Sequence, residues 1–392
     1  MSYSQIRSLV GVGAAIVLMN ACAAVPKTIY TQEEIVSEME ARVSAELKDQ
    51  IVIPFEIDDD IRQLADDITH NLRSDREKVR AIVQAIIGLT QFSISYDWLS
   101  NKTATEVFRQ GRGNCLAYSN LFVGMARHVG LDAVYVDVVS IERQTREAEV
   151  IVNNGHVTAG INQGANVMVI DFTRTPEREY LGFKVIDDLE AIANYYNNQG
   201  FLYGYFTEIE DNQIDFDPME KEMEMYRLAL EVLPTFQRAR NNLGVGLRRR
   251  GKVHEAIEQY NMAIEVDPTF PDAHANLGAA YYLLGRVDEA VEELKIAARE
   301  SGQNGYFYHN LGVVQFRLER YDEAIKGFRS ALSKEPGMAS ARYYLGESYL
   351  RLGDTGRATE EYVAALELDP NHASARSMLD RLTGQGEDQA RD

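Results

Sequence analysis

The chain has 392 residues, with 60 acidic against 40 basic side chains and a formal charge of -20. That balance excludes a nucleic-acid binder, and it excludes docking on anionic lipid through a basic surface. With 45% hydrophobic residues and no low-complexity tract, the composition suits two or three ordinary globular domains.

At the N-terminus, Arg7 is followed by an apolar run from Leu9 to Met19 and then by small residues at Ala21, Cys22, Ala23 and Ala24. This is the order of an export signal, and the run is too short to span a bilayer. Leu18-Met19-Asn20-Ala21-Cys22 resembles a bacterial lipobox. The resemblance implies that 1–22 is a leader, that Cys22 is lipidated, and that a lipid anchor ties the chain to a membrane. Ala23 after the cysteine resembles the outer-membrane sorting pattern, which implies a periplasm-facing outer-membrane lipoprotein. Cleavage after Ala23 and secretion to the periplasm is the competing reading, and both place the chain in the bacterial envelope. An intracellular adaptor with an uncleaved N-terminus is a third. Residues 23–54 form a linker whose Ile35, Met39, Val43 and Leu47 have helical spacing between Thr31 and Gln50.

A mixed segment occupies 55–190. Asp60 to His70, Asp75 to Thr90 and Cys115 to Val129 read as helices, the last with Leu121, Phe122, Met125 and Val129 turned to a core. Strand-like runs follow at Ala133 to Ser140, Glu147 to Val152, His156 to Ile161 and Asn166 to Phe172, separated by polar or glycine turns. Helices first and antiparallel strands after predict an α+β domain.

Cys115 is the one cysteine besides Cys22, so it has no disulfide partner once the leader is discounted. It follows the turn Gly111-Arg112-Gly113-Asn114 and opens a helix, where free N–H groups and partial positive charge favour a thiolate and a developing oxyanion. The alternative is a buried cysteine acting as a small hydrophobe. A thiol nucleophile needs a base, and the base an orienting acceptor. His156 at a strand start and Asp171 at the end of the next can meet across two adjacent antiparallel strands. The order helix-Cys, strand-His, strand-Asp, led by Thr103-Ala104-Thr105-Glu106-Val107-Phe108, resembles the bacterial transglutaminase-like core over roughly residues 55 to 185. Ala126-Arg127-His128-Val129-Gly130-Leu131-Asp132-Ala133 and Val169-Ile170-Asp171 fit that pattern too.

The resemblance implies a papain-like arrangement with Cys115 as nucleophile, His156 as general base and then acid, and Asp171 as orienter of the imidazole. Trp98 and Asn114 are candidates for the substrate cleft. One departure is that Val157-Thr158-Ala159-Gly160, without an aromatic residue, follows His156. His70, His128, His254, His274, His309 and His372 show no metal-ligand spacing, so neither metal nor cofactor is expected.

Beyond residue 236 the chain is periodic. Leu243-Gly244, Leu277-Gly278, Leu311-Gly312 and Leu345-Gly346 recur at 34 residues. Small residues recur at Ala256, Ala290, Ala324 and Ala358, and at Ala263, Ala297, Ala331 and Ala365; bulky ones recur at Tyr260, Leu294, Phe328 and Tyr362. This resembles four tetratricopeptide repeats, 237–270, 271–304, 305–338 and 339–372. A degenerate repeat with a ten-residue insertion precedes them at 191–236, and a capping helix and tail follow at 373–392. The fold class is therefore a transglutaminase-like, papain-like α+β domain followed by an all-α repeat solenoid.

In such arrays the first helices line the concave face. Asn198, Asn242, Asn276 and Asn310 form a candidate ladder for an extended peptide. Arg248, Tyr282, His309, Phe316, Arg317, Tyr343 and Arg351 would add an aromatic and basic lining, which favours a peptide with carboxylates or a free C-terminus. Local capping by repeat-consensus asparagines is the alternative. The expected function is an envelope-anchored cysteine hydrolase or acyltransferase acting on amides of a peptide or protein held by the repeats. The rival is a catalytically inactive scaffold lipoprotein.

Overall fold

The computed structural model describes residues 15–20, 29–89, 95–96, 100–140, 156–164, 166–172, 180–206, 217–302 and 304–383. Cys22, Trp98, the expected strand at Glu147 to Val152, the acidic insertion up to residue 216 and the tail from 384 lie outside the described residues. The chain divides into two compact units, one running to residue 246 and one from 247 onward.

The first unit contains β1 (Ala15–Asn20), α1 (Gln32–Arg42), α2 (Asp59–Thr69), α3 (Asp75–Leu89), β2 (Ser95–Tyr96), α4 (Ala104–Gln110), β3 (Arg112–Gly113) and α5 (Cys115–His128). It continues with β4 (Ala133–Ser140), β5 (Val157–Asn162), β6 (Asn166–Asp171), β7 (Tyr180–Ile186), α6 (Asp188–Phe206) and α7 (Pro218–Val232), and then enters α8 (Gln237–Arg249). The periodicity over 31–50 predicts one helix, but α1 ends at Arg42. There the Ser44 N–H turns to the Glu231 carboxylate at 2.8 Å, and Val43 and Leu47 are still buried. Within the segment read as a leader, Ala15–Asn20 is a strand paired with β6 from Ala15↔Asp171 to Asn20↔Asn166.

The main sheet has the order β1-β6-β5-β4-β7, with every pairing antiparallel. Alternation along each strand gives the sheet two apolar faces. Tyr135, Val157, Ala159, Ile161, Met168 and Ile170 join a core with the helices, while Val134, Val136, Val138, Val167, Val169 and Val185 form a second cluster. In α5 every side chain from Cys115 to Ala126 is buried, so this helix is the axis of the unit rather than a surface element. Gly124 is what allows its close approach: a Cβ there would stand 2.6 Å from both the Ile57 Cγ2 atom and the Phe55 carbonyl oxygen. The same core takes in Ile35 and Met39 of α1, Met225, Leu228, Ala229 and Val232 of α7, and Ala239 of α8.

The second unit takes up the end of α8 and continues through α9 (Val253–Val266), α10 (Pro271–Leu283), α11 (Val287–Glu300), α12 (Gly305–Arg317), α13 (Tyr321–Lys334), α14 (Ala339–Arg351), α15 (Thr355–Leu368) and α16 (Ala373–Thr383). The repeated alanines at 256, 290, 324 and 358 and at 263, 297, 331 and 365 are fully buried. Three of the four Leu-Gly glycines meet the bulky residue of the partner helix: a Cβ would fall 2.9 Å from Leu294 at Gly278, 2.8 Å from Phe328 at Gly312 and 2.8 Å from Tyr362 at Gly346. The sequence period therefore encodes a repeated helix-crossing contact.

The turns inside the repeats carry left-handed glycines at Gly251, Gly285 and Gly353, and the equivalent position is Glu319, with φ 59. Left-handed backbone costs a non-glycine residue roughly 1–2 kcal/mol. Glycine's greater unfolded-state freedom offsets roughly 0.5–1 kcal/mol of that. Glu319→Gly should therefore stabilise the chain by about 0.5–1 kcal/mol, read from the urea midpoint of the repeat transition.

Candidate active site

Two turns of backbone set Cys115. Thr103 and Glu106 form a capping box that starts α4, and Gly111 ends that helix in the left-handed region at φ 65. Gly113 then passes between α4 and α5, where a Cβ would lie 2.9 Å from Ala117 Cβ and 3.0 Å from Val107 Cγ2. Asn114 is the N-cap of α5: its Oδ1 accepts from the Ala117 N–H at 2.9 Å, which leaves Cys115 as the first residue of the helix. The helix thus turns its positive end toward the thiol.

His156 immediately precedes β5, and its carbonyl accepts from the Val138 N–H of β4 at 2.9 Å. Asp171 ends β6. The structure brings these three groups together. Cys115 Sγ lies 3.5 Å from His156 Nδ1, and His156 Nε2 lies 3.4 Å from Asp171 Oδ2. Their exposures are 8%, 6% and 1%, so the chain of groups is shielded from bulk water. Phe172, next to Asp171, packs on Tyr118 and Phe122 of α5 with ring centroids 6.0 and 6.1 Å apart, and this contact closes the sheet onto the helix. Burial pushes the Tyr118 phenol up to about 12, so it stays protonated and donates to the Gly111 carbonyl at 3.2 Å.

Burial alone would lower the His156 imidazolium. The negative charge of Cys115 and the hydrogen bond to Asp171 outweigh it, and the group is pushed up to about 10. The sign of the pH dependence follows. The imidazolium is present at neutral pH and is lost as pH rises through about 10. A reaction that needs it as a proton donor to a leaving amine should fall across that window, whereas iodoacetamide alkylation, which needs only the thiolate, should not. Parallel pH profiles of amide turnover and alkylation check this.

Several contacts have no period in the sequence. Ser100 and Asn101 are buried beside Asn114: the Asn114 N–H donates to the Ser100 carbonyl at 3.0 Å, and Asn114 Nδ2 donates to Asn101 Oδ1 at 3.4 Å. Asn120 accepts from the buried Tyr135 hydroxyl at 2.9 Å. Arg127 reaches Asp188 with two bonds, 2.9 and 2.7 Å. An arginine in the last turn of a largely apolar helix is the available signal for that pair. The capping box was the signal for α4.

The candidate groove residues are placed as follows. In the first unit Asn242 is buried and donates to Asn197 Oδ1 at 2.9 Å, while Asn198 is half-buried, its Oδ1 having no hydrogen-bond partner among the described residues. In the second, Asn276 is buried and Asn310 half-buried. Arg317 lies over the Tyr282 ring at 5.8 Å and Arg351 over the Phe316 ring at 6.0 Å, the same cation-π pair one repeat apart. Tyr343 contacts Tyr344, Tyr362 and His372, and His309 lies edge-on to Phe328 and Tyr344. Arg248 keeps Nε and Nη2 buried without a hydrogen-bond partner among the described residues. Among those residues no cluster of three or more His, Cys, Asp or Glu could hold a metal ion, and no helix is long and apolar enough to cross a membrane.

Residues 62–164 match the family model of the transglutaminase-like superfamily, a span that contains Cys115 and His156 and ends before Asp171. Residues 247–285 match a TPR repeat model and residues 309–382 a tetratricopeptide repeat model. No curated protein matches the chain. Similar solved structures include YrrB, described as a TPR protein with an unusual peptide-binding site, at 22% identity over 47% of this chain and 91% of that one, TM-score 0.37. PilF of Pseudomonas aeruginosa is similar at 20% identity over 52% and 87%, TM-score 0.44. TTC0263, a thermophilic TPR protein of Thermus thermophilus, is similar at 22% identity over 48% and 98%, TM-score 0.39. The chain thus carries a transglutaminase-like domain, with Cys115 and His156 inside it, followed by a region of tetratricopeptide repeats.

Proposed function

We propose that the chain is a cysteine-dependent amide hydrolase or acyltransferase, acting on a peptide or protein recruited by its repeats. The observation that carries the reading is the continuous line Cys115 Sγ, His156 Nδ1, His156 Nε2, Asp171 Oδ2 at the start of a helix. In this mechanism His156 Nδ1 takes the thiol proton and Asp171 accepts from Nε2–H, fixing the ring. The thiolate adds to an amide carbonyl, and the oxyanion is met by the backbone N–H groups that open α5. The C–N bond breaks as the imidazolium gives its proton to the departing amine, leaving a thioester on Cys115. Water or a second amine, deprotonated by the neutral imidazole, then attacks the thioester and restores the thiol.

The paired Arg317–Tyr282 and Arg351–Phe316 contacts supply stacked cationic and apolar surface on a chain of charge -20. They support an acidic peptide or a free C-terminal carboxylate as the recruited group. The leader pattern around Cys22 supports lipid anchoring in the bacterial envelope. Labelled palmitate that is incorporated in the wild type and lost in Cys22→Ser tests that point.

The enzymatic reading is tested with iodoacetamide at neutral pH. Cys115 should be alkylated well faster than a free cysteine, and reactivity equal to free cysteine would favour an inactive scaffold instead. Cys115→Ala used as a trap, with captured peptides identified by mass spectrometry, then names the substrate.

A further inference from the structure

Asn114 must present a particular end of its side-chain amide to α5, since only Oδ1 can accept the Ala117 N–H. The two ends of an amide are nearly the same size, so packing alone does not choose between them. The choice is made by what receives Nδ2, and that acceptor is Asn101 Oδ1 at 3.4 Å. Asn101 is 5% exposed and is itself held from α6: its Nδ2 donates to the Tyr195 carbonyl at 2.9 Å, and its own carbonyl accepts from Gln199 Nε2 at 3.0 Å. Gln199 Nε2 also reaches the Tyr195 hydroxyl at 3.1 Å, one turn away on the same helix. The segment before Asn101 lies alongside the nucleophile turn, with Ser95 paired to Arg112 and Tyr96 to Gly113.

We propose that Asn101 is a positioning residue for the nucleophile: braced by Gln199 of α6, it fixes the Asn114 amide and thereby the first turn that carries Cys115. Its action on the thiol is indirect, through Asn114. The inference rests on the reading of Cys115 as a nucleophile.

The test is a double-mutant cycle on the full chain, with iodoacetamide as the probe. Asn101→Ala should slow alkylation of Cys115 at pH 7 by about 3- to 10-fold and move its pH profile upward, because a misoriented cap weakens the helix start at the thiol. Gln199→Ala, further away, should act in the same direction with a smaller effect. Asn114→Ser caps through a hydroxyl that has no amide to orient, so Asn101→Ala added to it should slow the reaction no further. Urea midpoints for each variant separate loss of fold from loss of positioning.

If the wild type reacts fast and Asn101→Ala and Gln199→Ala react equally fast, the positioning role is overturned and the nucleophile stands. If the losses from Asn101→Ala and Asn114→Ser multiply, Asn101 does not act through Asn114. If the wild type itself reacts like free cysteine, both readings fall.

Discussion

His156→Ala should reduce acylation of Cys115 by p-nitrophenyl acetate at pH 7 by about 10²–10⁴-fold, the range over which a positioned acid–base contributes. On the proposed mechanism the substitution removes both roles of the ring: the group that takes the thiol proton at 3.5 Å and the cation that keeps company with the thiolate of Cys115, a residue of 8% exposure. Iodoacetamide alkylation should fall less, because a free thiol is still a few per cent ionised at neutral pH and remains nucleophilic. Asp171→Asn should cost less than His156→Ala in acylation, since the ring stays but loses the carboxylate at 3.4 Å. An unchanged burst of nitrophenolate in His156→Ala would place the base elsewhere and end the triad reading.

The second large effect is on stability. Arg127 binds Asp188 through two bonds and donates from Nε to the Ala133 carbonyl at 3.0 Å, with its guanidinium 5.3 Å from the Phe55 ring. The two side chains are 17% and 2% exposed, and Asp188 also accepts the Tyr30 N–H at 3.1 Å. Arg127→Ala leaves that carboxylate buried and uncompensated, a change that costs about 3–5 kcal/mol. Arg62→Ala removes a partner from Asp59, which is 97% exposed, and should cost no more than about 1 kcal/mol. Against a usual total of about 5–15 kcal/mol, the first should shift the urea midpoint strongly and the second barely. Adding Asp188→Asn to Arg127→Ala should recover part of the loss, because the buried charge then goes with its partner. Equal midpoints for the two single variants would mean that Arg127–Asp188 is as weak as a surface pair.

What the sequence makes legible follows from what periodicity encodes. A 3.6-residue pattern marks α2, α3 and α5 to within a residue or two, and alternation marks β4, β5 and β6. The 34-residue recurrence carries the solenoid because every repeat buries the same two alanines and three of them show the same glycine contact. The seven residues of α4 are too few to show a period, although Thr103 and Glu106 mark its start. β7 lies beyond the apparent end of the strand region and pairs with β4, so it depends on a partner far back in the sequence. The amide chain from Gln199 through Asn101 to Asn114 includes a contact 98 residues apart in sequence, and a pattern within one element cannot announce it. For the site, residue type and order were enough to nominate Cys115, His156 and Asp171, because the chemistry allows few alternatives. The residues that brace them are ordinary asparagines and an arginine, distinguished only by where they are buried.

Among the described residues one buried cluster surrounds α5, from Ile35 to Ala239, drawing on α1, α6, α7 and α8 as well as the sheet. A gene fragment cut at residue 190, where the strands end, would strip Ile192, Tyr196, Leu228 and Val232 from that core and bare the surfaces they cover. The transglutaminase-like half is therefore not a cassette that recombination could move alone: its inheritance, its expression and its refolding all come bundled with the opening helices of the array.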